Sequence, residues 1–146
     1  MADENREQNL VAALLQAASY MSGEDSQRKI TIRRGGKPLF SFTVTALDEN
    51  TWDKARRQNI KNRGKRSEEL DAGRFLAQVI FEATDPEDQK LIWKNREVWN
   101  QLNVATGVDA VNLILTPAEK AKVAEIIEEL SGYTNDEISI EDEMRE

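Results

Sequence analysis

The chain contains no cysteine and no histidine. The first absence excludes disulfides, thiol redox chemistry and thiolate metal sites. The second removes the commonest general base and the commonest zinc ligand together. Long apolar runs are missing too. The longest apolar-looking stretch, Leu10 to Met21, is broken by Gln16 and Ser19 and falls short of a membrane span. The opening Met-Ala-Asp-Glu-Asn is acidic, unlike the basic start of a secretory signal. These gaps lead to the expectation of a cytoplasmic protein with no cofactor, no metal and no membrane partner.

What is present is charge. The 146 residues fit one domain, large enough to bury a core without disulfide or metal staples. Net charge is −7, which argues against generic binding to DNA or to anionic membrane. The average hides a polarity. Between Gln27 and Arg66, twelve Lys and Arg face three acids, a local net of +9, whereas the remainder carries eight bases and twenty-four acids. A molecule polarised in this way can steer partners, or pair head to tail with copies of itself as a homo-oligomer.

The stretch "ITIRRGGKPLFSFTV", residues 30–44, sets glycines and cations between two alternating apolar runs. Ile30 and Ile32 share one face; Phe40, Phe42 and Val44 share another. A phosphate loop needs a helix after its glycines, and here a strand follows, so the reading is a β-hairpin with a cationic tip. Helical periodicity accounts for most of the rest. An N-terminal helix spans Asn9 to Met21, with Leu10, Leu14, Ala17 and Met21 on one stripe, ending near Gly23. Asp48 caps the next helix, with Leu47 and Trp52 at staple positions. "KNRGKRSEEL" reads as a flexible basic linker with Ser67 capping the following helix. Asp85 and Pro86 then start a helix that becomes irregular around Asn95. A short apolar helix covers Val108 to Leu115. Thr116 and Glu119 open the last helix with a capping box, and Gly132 closes it with Tyr133 folding back. The expected fold is α+β and mainly α: an N-terminal helix and a hairpin packed on four or five helices. The expected division is a flexible N-terminus (1–9), one domain (10–133) and a disordered acidic tail (134–146).

No constellation carries chemistry. The pairs Glu68-Glu69 and Glu128-Glu129 are adjacent on helices and diverge by about 100°, so they do not converge on a substrate atom. Ser67 and Thr116 lack a histidine base and read as caps. Residues 136–142 lack the spacing and central glycine of a calcium loop. No catalytic, cofactor-binding or metal residue is assigned. Nucleic acid has one argument: "DKARRQNIKNRGKR" packs seven Lys and Arg into fourteen residues. Trp52 is the only nearby ring and the staple accounts for it, so the platform for stacked bases is absent. The segment reads as a solvated helix face and its linker.

The order of these elements resembles the XkdN-like phage tail assembly chaperones over roughly residues 10 to 133. The resemblance rests on the Leu-rich N-terminal helix, the strand running into "FSFTVTALDENTWDKARRQ", the helix and Asp/Pro turn of "FLAQVIFEATDPED", and the closing "LILTPAEKAKVAEIIEELSGY". Two departures are Ile92-Trp93-Lys94-Asn95, where the family often has Tyr-Gly, and the basic segment from Arg63 to Arg66. The resemblance implies a non-enzymatic assembly factor, active in the host cytoplasm and not expected in the finished virion. Its implied partners are the tape-measure protein and the tail tube protein. Charge adds two contact surfaces: the hairpin tip with Arg33, Arg34 and Lys37, and the strip of Arg56, Arg57, Arg63 and Arg66. A small nucleic-acid-binding regulator and a structural tail subunit stand as alternatives.

Overall fold

The hairpin forms where the period-two pattern places it. In the computed structural model, which describes residues 2–19 and 26–132 with side chains from residue 4, β1 (Gln27–Arg34) pairs antiparallel with β2 (Lys37–Thr45). Gly35 and Gly36 make the turn alone, at φ +60° and +79°, a left-handed pair that residues bearing a β-carbon adopt only with strain. Ile30 lies opposite Phe42 and Ile32 opposite Phe40, so one face of the hairpin is apolar. A register shift after Ile32 sets Pro38 opposite Arg33, near the hairpin's end.

That face is covered by helices. α2 (Glu49–Gln58) starts at Asp48, whose carboxylate accepts from the Thr51 amide at 2.7 Å. α3 (Ala72–Ala83) is central, burying Ala77, Val79, Ile80 and Ala83 against its neighbours. α4 (Pro86–Asp88) runs on as a π-helical turn (Gln89–Trp93), followed by α5 (Arg96–Leu102), α6 (Gly107–Ile114) and α7 (Pro117–Leu130). α3 packs on α6, α7, α2 and β2, which brings the sheet and the helices into one core. Burying each large aliphatic side chain there stabilises the fold by about 1.5–3 kcal/mol. The fold class is α+β, mainly α, as the pattern implies.

Trp93 is the centre of that core. It is fully buried, with Phe40 and Phe42 edge-on at 6.0 and 5.2 Å. Its indole N–H donates to the Thr84 hydroxyl at 2.9 Å, and Thr84 donates onward to the Ile80 carbonyl at 2.6 Å, so no polar atom is stranded. The Asp85–Asp88 turn is stitched to β2 from both sides. The Asp85 amide donates to the Thr43 carbonyl, and the Thr43 amide donates to the Asp88 carboxylate, each at 2.8 Å.

Three elements differ from the sequence reading. Residues 60–70 are a small hairpin, not a flexible linker: β3 (Ile60–Lys61) pairs with β4 (Glu69–Leu70). Asn62 and Gly64 take left-handed φ, and the Gly64 amide donates to the Glu68 carboxylate at 2.9 Å, which holds the turn. Asp71, not Ser67, caps α3, accepting from the Arg74 amide. The irregularity expected near Asn95 is a full break. Asn95 accepts from the Val98 amide as N-cap of α5 and donates to the Leu91 carbonyl, which competes with helix continuation.

The N-terminal helix, α1 (Ala2–Ser19), begins seven residues before the point set by periodicity. All its described side chains, residues 4–19, are exposed. Met21, Gly23, Tyr133 and the expected tail, 134–146, lie outside the described residues.

Candidate functional site

At the hairpin tip the three cations have separate fates. Arg34 reaches across to α7, where its Nε lies 3.1 Å from Glu119 Oε2 and its Nη2 2.6 Å from Glu119 Oε1; Nη2 also donates to the Ile114 carbonyl at 2.6 Å. Glu119 is at the same time the N3 member of the capping box with Thr116, so a single carboxylate joins helix start and hairpin. Arg34 above all, with the Thr116 amide, holds that carboxyl at a pKa of about 2 against partial burial, which opposes the shift. Arg33 and Lys37 are exposed and make no ion pair among the described residues.

The second group stands on the end of α2 and the small hairpin after it. Arg56 and Arg57 are exposed in the last turn of α2. Arg63 donates to the Arg57 carbonyl, which draws those two together, and Arg66 is exposed in the turn between β3 and β4. The strip is not uniformly basic: Arg56 shares a shallow hollow with Ile60, Glu68, Glu69 and Leu70, and Lys61 lies 3.8 Å from Asp71. No hydrogen bond or ion pair among the described residues links this strip to the hairpin tip.

Two further features escape sequence reasoning. One is an open groove of about 410 Å³ between β1 and α7, with Lys29, Arg33 and Lys122 at its rim and Ile30, Ile32, Val123 and Ile126 lining it. It joins residues some ninety positions apart, so no local pattern announces it. The other is α1. Leu10, Val11, Leu14 and Leu15 are 59%, 52%, 60% and 65% exposed and fall within an arc of about 140° on the helix. The apolar spacing was legible; the exposure of that face among the described residues was not.

Groups suited to chemistry are engaged elsewhere. Among the described residues no cluster of three acids could hold a metal ion, and no helix is long and apolar enough to cross a membrane. Lys120 is buried, which pushes its pKa down, and it donates to the Asn112 side chain at 2.5 Å as a strut between α6 and α7. Asp109 pairs with Arg74, linking α6 to α3.

No curated protein and no solved structure is significantly similar to the chain. The family model of the phage XkdN-like tail assembly chaperones matches residues 11–146, which takes in the exposed helix from Val11, both cationic groups and the β1–α7 groove. The chain therefore belongs to the XkdN-like phage tail assembly chaperones, a non-catalytic assembly family.

Proposed function

We propose that this protein binds the tape-measure protein of the tail, keeps it soluble and promotes assembly of the tube around it, with no catalytic step. The tail tube protein is the second expected partner. The work is placed in the host cytoplasm, and the chaperone leaves before the virion is finished. The observation that carries this reading is the uncovered leucine face of α1. Contiguous exposed apolar surface marks interaction sites, and apolar residues at i and i+4 pair with apolar stripes on other helices. A long protein exposing such stripes aggregates alone and is kept in solution by a partner of this shape.

The cations supply the rim. Arg33, Lys37, Arg56, Arg57, Arg63 and Arg66 are all exposed, and they attract acidic segments of a partner without fixing the contact. Arg34 is already spent on Glu119, so its part in binding is to hold the tip in place. The test is co-expression with the tape-measure protein. Soluble recovery of that protein only when this one is present supports the reading. Clean separation of the two on size exclusion overturns it, and a DNA shift in moderate salt would then move the function to a nucleic-acid-binding regulator. Retention in purified particles would move it to a structural subunit.

A further inference from the structure

Helices in proteins owe most of their stability to a packed face, yet α1 buries none of its described side chains. The residues along it are patterned for a particular cover. Glu7, Val11, Leu14 and Ala18 follow one another at intervals of four, three and four, the seam spacing of a two-helix coiled coil. Leu10 borders that seam on one side and Leu15 on the other. Val11 and Leu14, at its middle, are both more than half exposed. The block Leu10-Val11-Ala12-Ala13-Leu14-Leu15 also reads nearly the same in both directions about the Ala12–Ala13 bond. A face with that symmetry is complementary to itself after a half-turn.

We propose that α1 pairs antiparallel with α1 of a second copy of this chain, about a two-fold axis beside the Ala12–Ala13 bond. The contact is isologous and closes at two copies. Val11 of each copy meets Leu14 of the other, which makes two equivalent apolar layers on either side of the axis. The two Leu10 side chains close one border of the seam, and the two Leu15 side chains close the other. Glu7 of each copy lies over Ala18 of the other, whose single methyl leaves room for the glutamate stem to pass out to water.

Charge sets the direction. A parallel pair stacks each residue on its own equivalent, so Glu7 would face Glu7 within the seam, and the two Glu4 residues would crowd the same end. The antiparallel pair carries these acids to opposite ends. From Glu7 to Ala18 the seam is about 17 Å long. A contact of that length is smaller than a standard interface, so the dimer is weak, with a dissociation constant of about 10–100 μM. It shields the leucine face at high concentration and yields it to a longer apolar partner. The contact needs only this chain, so it does not rest on the tape-measure reading, and either can fail alone.

The chain has no cysteine, so introduced cysteines report the pairing directly. Val11→Cys and Leu14→Cys proteins are oxidised separately and as an equal mixture. The mixture is expected to form the disulfide between positions 11 and 14 at least about tenfold faster than either protein forms its own. Sedimentation of the unmodified chain from about 5 to about 500 μM is expected to show a reversible monomer–dimer equilibrium, with Leu14→Glu monomeric throughout. Leu14 is exposed, so that variant keeps its circular dichroism. Glu7→Leu, which adds an apolar layer over Ala18, is expected to dimerise at lower concentration. A chain that stays monomeric across the range overturns the proposal, and so does a dimer that persists in Leu14→Glu. Disulfides between like positions that form as fast as the mixed one also overturn it, because they mark a parallel pair or a contact elsewhere.

Discussion

Glu119 shows how much a single side chain can connect in a domain of this size. It closes the capping box of α7 and receives Arg34 from the hairpin, and both contacts are stronger when it is ionised. Its carboxyl titrates near 2 in the folded protein against 4.5 for the ordinary group, so the unfolded chain takes up the proton first. The stabilisation is complete above about pH 4.5 and is lost as the pH falls toward 2. Asp48, held low by the Thr51 amide, and Asp109, held low by Arg74, titrate in the same sense. Thermal unfolding followed from pH 6 downward should therefore show a falling Tm in that acid window, with a shallower fall in Glu119→Gln. An equal slope in both proteins would remove Glu119 from the account. Trp93 carries the packing counterpart. Trp93→Ala empties the contact with Phe40 and Phe42 and leaves Thr84 without its indole partner, at a cost of about 3–5 kcal/mol in denaturant unfolding. Gly107→Ala should also destabilise, because its β-carbon would lie 2.3 Å from the Phe81 ring.

At the level of elements, what could be read from the sequence was what local chemistry determines. The hairpin's alternating faces, the Asp48 and Asp85 caps, the Thr116–Glu119 capping box and the left-handed Gly132 all follow from residues within a few positions of one another. The hairpin register does not: the sequence reading set Gly-Gly-Lys-Pro as the break, and the turn is Gly35-Gly36 alone with Lys37 and Pro38 paired in β2. The small hairpin at 60–70 was hidden because its two-residue strands are too short to show a period, and its turn depends on Asn62 and Gly64 rather than on alternation. The cap on α3 was misplaced for a related reason: serine and aspartate both cap well, and only the backbone decides that Asp71 is in position. The β1–α7 groove and the exposure of α1 depend on the tertiary arrangement and leave no local trace. For α1 this has a direct consequence. Leu10→Glu with Leu14→Glu should change the unfolding free energy by no more than about 0.5 kcal/mol, since neither residue is buried. A loss of several kcal/mol would show that α1 packs on the domain in solution and would remove the free surface on which the proposed function depends.

For the molecule as a whole, the basic segment from residue 27 to 66 folds into the large hairpin, α2 and the small hairpin, while the acids dominate elsewhere. Attraction between this half and an acidic partner acts mainly on encounter, so association should slow as salt rises while the apolar contact keeps the complex together. Membership of the tail assembly chaperones supplies the setting, and the exposed apolar face of α1 is the surface proposed for the contact. The most direct measurement is size exclusion of the tape-measure protein co-expressed with this chain, as wild type and as Leu10→Glu/Leu14→Glu. The account expects a soluble complex with the wild type, and an aggregated tape-measure protein beside a folded, unbound chaperone with the variant. A complex that forms equally well with both would contradict the claim that the leucine face of α1 is the binding surface.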